Sequence, residues 1–196
     1  MRSLAVTLGA ILMVGTPPAT AAELSAGSGP CPPKRGQRVE VLQRTAQAVV
    51  FSRGGRTVAC WRASGKVWAL GRGAPVSALA GDRLAYAAGA SVRVATLSSG
   101  TYDEVGTALG SGGGRVTDVV LRADGAVAWI GESAGGAGAA REVRQVGGLL
   151  GTGTGIEPGT LKLRGDRVAW GQSGIERSAP LTLPEPAEPG DPPAER

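Results

Sequence analysis

The sequence predicts an all-β domain of about four antiparallel units, and three observations carry that expectation. First, a short phrase recurs. It reads Ala80-Gly81-Asp82-Arg83-Leu84-Ala85-Tyr86, Arg122-Ala123-Asp124-Gly125-Ala126-Val127-Ala128-Trp129 and Arg164-Gly165-Asp166-Arg167-Val168-Ala169-Trp170, with a looser copy at Arg53-Gly54-Gly55-Arg56-Thr57-Val58-Ala59-Cys60-Trp61. Each copy is a polar turn followed by a small apolar run that closes on an aromatic, as in a hairpin feeding a buried strand. Second, the chain holds 33 glycines and a single phenylalanine among many Ala, Val and Leu residues, a composition that favours strands and tight turns over helices. Third, short segments such as Arg38-Val39-Glu40-Val41 alternate polar with apolar side chains, the period of a strand with one buried face.

The first 22 residues stand outside the fold. Arg2 supplies a positive start, Leu4 to Val14 an apolar segment and Thr20-Ala21-Ala22 a small-residue cleavage site, which together read as a secretory signal peptide. An apolar stretch of that length is too short for a bilayer that needs roughly twenty residues, so no membrane span is expected in the mature chain. Export to an extracellular or periplasmic space follows. Residues 23–36, rich in Ser, Gly and Pro, read as an extended arm carrying Cys31. In an exported chain the two cysteines pair, and a Cys31–Cys60 bond would pin the arm to the first hairpin.

Residues 37–179 form the β-repeat domain. Its first unit contains strands at Arg38 to Leu42, Ala46 to Phe51, Thr57 to Trp61 and Val67 to Leu70. The second unit runs Val76 to Leu79, Leu84 to Ala87, Val92 to Leu97 and a short piece around Tyr102 to Val105. The third has Val116 to Leu121, Ala126 to Ile130 and Glu142 to Val146, with a Gly and Ala loop from Gly131 to Ala140. In the fourth, Leu161 to Leu163 and Val168 to Gly171 flank a turn, and no outer strand is expected. Residues 180–196, rich in Pro and Glu, cannot build a core and read as a disordered tail. The missing outer strand and the spare Arg38 to Val41 strand suggest a circular array in which the N-terminal strand closes the last unit and removes two exposed edges.

The Asp turns and aromatic-ending hairpins between Ala46 and Gly171, clearest at Leu121 to Trp129, resemble the repeats of TolB-like and WD40-like β-propeller proteins. The resemblance implies a β-propeller-like array of about four blades that binds a protein or ligand on one face. It carries no catalytic residues across, and the chain departs from the pattern in lacking a Trp-Asp dipeptide and in having four units. A four-bladed ring, a partial propeller that associates with another copy, and a different β-sandwich or barrel all remain open.

Residues 23–179 hold 19 basic and 12 acidic residues, a net of +7. The arginines are dispersed along the strands and form no run, so a nucleic-acid partner is not expected. Gly131-Glu132-Ser133-Ala134-Gly135 matches a serine nucleophile elbow, but the chain contains no histidine to act as its base. Arg164-Gly165-Asp166 spells an adhesion tripeptide that its sister turns explain as turn chemistry. Gly110 to Gly114 and Gly151 to Gly155 lack the helix and Lys-Ser or Lys-Thr pair of a phosphate loop and read as flexible connections. No metal site and no cofactor is expected. Tyr86, Trp129 and Trp170 occupy one place in their repeats. They either line a rim that stacks on a sugar or peptide, which makes them the candidate binding residues, or fill a core otherwise poor in bulky side chains. The function expected is that of a noncatalytic exported domain binding a protein or cell-envelope component. The alternative is an enzyme acting on an acidic polysaccharide or other envelope substrate.

Overall fold

The computed structural model describes residues 22–27, 31, 38–73, 75–135 and 138–183, which form four antiparallel sheets and no helix. After a two-residue strand β1 (Ala22–Glu23), the first sheet comprises β2 (Glu40–Arg44), β3 (Ala48–Arg53), β4 (Arg56–Trp61) and β5 (Lys66–Arg72). The second comprises β6 (Ser77–Ala80), β7 (Arg83–Ala88), β8 (Ser91–Thr96) and β9 (Thr101–Thr107), with β1 added beyond β9. The third holds β10 (Arg115–Leu121), β11 (Val127–Glu132), β12 (Arg141–Gln145) and β13 (Gly148–Gly153). The fourth has three strands, β14 (Lys162–Arg164), β15 (Arg167–Gln172) and β16 (Ile175–Pro180).

The recurring phrase supplies the turn into β4 in the first sheet and into the second strand, β7, β11 or β15, in the others. In three sheets the residue that follows the next strand, β5, β8 or β16, donates its amide to that turn: Gly73 to the Gly55 carbonyl at 2.9 Å, Leu97 to Asp82 at 2.8 Å and Leu181 to Asp166 at 2.8 Å. At the buried Leu97 and Leu181 these bonds satisfy amides that would otherwise be unpaired in the interior. The sheets pack in chain order through their leading strands, β2 on β6, β6 on β10 and β10 on β14.

Each junction between sheets has its own core. Val50 and Ala59 meet Leu84, Tyr86 and Leu97 between the first and second sheets. Val92 and Ala108 meet Val119, Leu121 and Trp129 between the second and third. Ile130, Val143 and Ile156 meet Val168 and Trp170 between the third and fourth. With so few bulky side chains, the tryptophans must reach the neighbouring sheet, and glycine makes room for them. A Cβ at Gly106 would lie 2.6 Å from the Trp129 ring, and one at Gly151 would lie 3.0 Å from Trp170.

Several expectations change. The strand at Glu40–Arg44 does not complete the fourth sheet. It pairs with β3, with Val41 opposite Phe51 and Arg44 opposite Val49. The turn between them has no Gly, Pro, Asn or Asp signal, and Thr45 supplies the turn chemistry: its hydroxyl accepts from the Ala48 amide at 3.0 Å and donates to the Gly81 carbonyl at 3.0 Å. A hairpin this short closes at far lower entropic cost than a pairing across the whole chain. The arm is more than an extended tether, because it adds to two sheet edges in succession. Ala22 and Glu23 pair with Tyr102 and Thr101 of β9. Ser25 then accepts from the Ala69 amide at 2.9 Å and Gly27 donates to the Val67 carbonyl at 2.7 Å. Leu24, 6% exposed, is the apolar residue between these contacts. Gly148–Gly153, expected in part as a loop, is the outer strand of the third sheet. The fourth sheet does have an outer strand, β16. Pro180 to Leu183 belong to the folded part, with Leu181 2% exposed, whereas the remainder of the expected tail and the signal segment through residue 21 lie outside the described residues. No helix among the described residues is long and apolar enough to cross a membrane.

Candidate functional site

Trp129 is 1% exposed, Tyr86 3% and Trp170 5%, so the three aromatics do not form the binding rim considered from the sequence. Each fills the junction with a neighbouring sheet. Their polar tips are used internally: the Trp129 indole donates to the Thr107 carbonyl at 2.9 Å and that of Trp170 to Gln172 at 3.5 Å. Burial pushes the Tyr86 phenol above its ordinary value, an effect opposed by the neighbouring Arg93 guanidinium. Cys60, in the first copy of the phrase, bonds to Cys31 with their Cα atoms 5.5 Å apart.

The motif residues are also structural. Glu132, 4% exposed, accepts from Arg115 at 3.0 Å and from Arg141 at 3.0 Å. These two hydrogen-bonded guanidinium groups, Arg115 first, hold its carboxyl below the usual value. Arg141 also donates to the carbonyls of Thr154 at 3.1 Å and Ile156 at 3.0 Å. Glu132 and Arg141 thereby latch the segment that leads into the fourth sheet. Ser133 closes its own loop, with its amide donating to the Ala140 carbonyl and its hydroxyl accepting from the Ala140 amide. Arg122 grips Asp124 through two nitrogens, at 2.9 and 2.7 Å, and reaches the Leu181 carbonyl at 2.8 Å. That pairing lowers the Asp124 carboxyl to about 2. In the adhesion-like tripeptide Arg164 pairs with Glu176 at 3.4 Å, and the Asp166 carbonyl accepts from Leu181.

Asp118 on β10 accepts from the Leu161 amide at 2.8 Å, which fixes the entry to β14. Its pKa is raised because burial outweighs the backbone amides that stabilise the charge. No group of His, Cys, Asp and Glu among the described residues is arranged to hold a metal ion.

The arrangement that sequence reasoning missed lies at one end of the first sheet. Arg53 ends β3, Arg56 opens β4 and Arg72 ends β5. The register puts Arg53 opposite Arg56 and Arg56 opposite Arg72, so the three lie side by side across the strands. They line one hollow of about 410 Å³ together with Val58, Ala69, Gly71 and the arm residues Ala26 and Gly27. No carboxylate is among the described residues that line it. Arg56 and Arg72 are exposed and form no side-chain hydrogen bond or ion pair among the described residues. Like charges placed directly opposite across strands repel, so the Arg56–Arg72 pair is not explained by sheet stability. The signal for it was present in Arg53-Gly54-Gly55-Arg56, where a two-residue hairpin loop sets the flanking residues face to face. The third member lies 16 residues further on and needed the β4–β5 register.

No known protein family, no curated protein and no solved structure matches the chain. Its function is therefore read from the geometry of the first sheet.

Proposed function

We propose that the chain is an exported, noncatalytic binding domain, a propeller-like array of four blades akin in design to TolB-like and WD40-like repeats, that holds an anionic group of a protein or cell-envelope component at the Arg53, Arg56 and Arg72 hollow. The observation that carries this reading is the cross-strand pair Arg56 and Arg72, without a side-chain partner among the described residues, beside Arg53 at a hollow that no described carboxylate lines. Guanidinium groups bind oxyanions through paired N–H donors and stay charged at any physiological pH. Export accords with the Cys31–Cys60 disulfide, since such bonds persist in oxidising compartments. The chain-order packing of the four sheets is the feature that favours a propeller-like arrangement.

The test is binding of the domain to an immobilised cell-envelope fraction, followed by surface plasmon resonance. The wild-type domain should bind in a salt-dependent manner, and the doubly substituted Arg56→Gln/Arg72→Gln protein should bind at least tenfold more weakly. Equal binding by the two proteins would remove the hollow as the site.

A further inference from the structure

We infer that the outer edge of the fourth sheet is a self-association surface, where β16 pairs antiparallel with β16 of a second copy of this chain. The first three sheets each have a fourth strand, β5, β9 and β13, whereas the fourth sheet ends at β16. The arm further covers the edges of β5 and β9. Among the described residues β16 has no strand partner besides β15, and Ile175, Glu176, Arg177 and Ser178 are all exposed. The tight turn at Ser173 and Gly174 makes Gln172 and Ile175 a hydrogen-bonded pair, and the Leu181 to Asp166 bond fixes the same phase at the other end. Bonded pairs alternate along an antiparallel ladder, so the backbone groups of Glu176, Ser178 and Pro180 point away from the sheet. An edge of this kind is a template for another strand.

The chain cannot supply that strand in the way the first two sheets do. There the amides of Arg62 and Leu97 bond to the Gln47 and Asp82 carbonyls, and the loops they open close on Gly65 and Gly100, at φ of 69° and 83°. Leu181 makes the equivalent bond to Asp166, and the residue that stands in the place of those glycines is Pro184. A proline ring holds φ at about −65°, so the hairpin that leads into β5 and β9 is closed to this chain. The position is left for another molecule.

A second copy fits it by register and by its ends. Closed dimers are twofold, which sets the two strands antiparallel. With the axis at Ser178, each Ser178 exchanges both backbone bonds with its counterpart, and each Glu176 amide donates to the Pro180 carbonyl of the other copy. The Ser178 carbonyl already accepts from Arg167 at 3.2 Å, and its second lone pair serves the new bond. Arg177 then lies opposite Ala179 of the other copy, whereas an axis at Arg177 would set two arginines face to face, which repels. Ile175 and Leu183, 57% and 49% exposed, stand at opposite ends of this edge. Antiparallel pairing sets Ile175 opposite Leu181 of the other copy and diagonal to its Leu183, a spacing that long side chains span. The outward face with Arg164 and Glu176 stays open.

One short strand makes a smaller interface than those of stable dimers, so the association should be weak and concentration-dependent. Sedimentation equilibrium of the disulfide-intact mature chain should show monomer and dimer exchanging between low micromolar and about 1 mM protein. Amide exchange at Glu176 and Ser178 should slow as the concentration rises. Ser178→Pro removes a donor that the monomer does not use and should weaken the dimer at least tenfold, with the unfolding of the dilute protein little changed. Ile175→Lys should weaken it severalfold, and it decides the matter if the proline variant does not fold. Leu149→Lys, at an exposed position on the outer strand of the third sheet, should leave the dimer intact. A chain that is monomeric at every concentration, a dimer indifferent to both Ser178→Pro and Ile175→Lys, or one lost with Leu149→Lys would each overturn the pairing. So would a dimer that forms only when residues 184–196 are removed, since the chain's own tail would then hold the edge.

Discussion

The first and fourth sheets both stand at an end of the array, yet each faces outward in a different way. On its outward face the first sheet carries Val49, Phe51, Val58, Cys60 and Val67, all buried, with Cys31 and Val39 packed against them. The equivalent face of the fourth sheet carries Lys162, Arg164, Arg167, Glu176 and Ser178, paired among themselves by Arg164 to Glu176 and Arg167 to Ser178 and open to solvent. A stack of sheets needs its terminal faces made either apolar and covered or polar and exposed, and this chain uses one solution at each end. The attachments differ too. A covalent bond and the β-paired arm hold the beginning, whereas the carboxylates Asp118 and Glu132 of the third sheet help to hold the end. The covered end is also the one that carries the arginine hollow, so the arm both supports the fold and walls that hollow.

Phe51→Ala should have the largest effect on this contrast. Phe51 is 1% exposed, and truncating a buried phenylalanine costs about 3 to 5 kcal/mol through lost transfer and a residual cavity. Denaturant unfolding should show that loss, and near-wild-type stability would mean that the outward face of the first sheet is not a core. Next, replacing both Cys31 and Cys60 with Ser removes a cross-link spanning 29 residues, worth about 3 to 4 kcal/mol on the chain-entropy view. The melting temperature should drop by roughly 10 °C. Hydrogen exchange should rise first at the Ala69 and Gly27 amides, which bond across the junction of the arm and β5. Uniform loosening of all four sheets instead would show that the disulfide does not act locally.

The sequence made one strand of each sheet legible, β4, β7, β11 and β15, because a polar turn, a small apolar run and an aromatic leave few alternatives to a hairpin entering a core. The disulfide was legible for the same reason of limited choice, with two cysteines to pair. What escaped was structure held by edges and register. The segment Ile175–Pro180 is exposed at four of its first four positions, so it shows no alternation, and the glycines of β13 look like a loop until β12 is beside them. The arm gives no periodic signal because its job is to bond through the backbone. Arg53, Arg56 and Arg72 are ordinary in sequence and become a cluster only when three strands are aligned. Tyr86, Trp129 and Trp170 were correctly grouped by position, and only packing could decide between a rim and a core.

A smaller effect should separate the ends by pH. The Glu132 carboxyl has a folded-state pKa below the 4.5 of the free side chain, so its contribution is present above that value and is lost as pH falls through the lowered one. Glu132→Gln should therefore cost about 2 kcal/mol at pH 7, as a charge-assisted bond becomes a neutral one, and its stability should change less than that of the wild type in acid. Asp118 titrates with the opposite sign. Its raised pKa means that its ionised form is disfavoured by folding, so its contribution is fullest in acid and lost as pH rises through the raised value. Asp118→Asn keeps an oxygen for the Leu161 amide and should match or exceed the wild type at pH 7. A wild-type acid loss that Glu132→Gln leaves intact would place the acid-sensitive group elsewhere.

The smallest expected change tests the exposed end itself. Arg164 and Glu176 are 59% and 58% exposed at their side chains, with 3.4 Å between their charged atoms, a geometry in which solvent screening leaves at most a few tenths of a kcal/mol. Glu176→Ala should therefore unfold within about 0.5 kcal/mol of the wild type, at both low and high salt. If it instead lowered stability by more than 1 kcal/mol, or shifted the protein's association state, the polar face of the fourth sheet would be covered in solution. The contrast between the two ends would then give way to an array with both ends occupied, one by its own arm and the other by a partner.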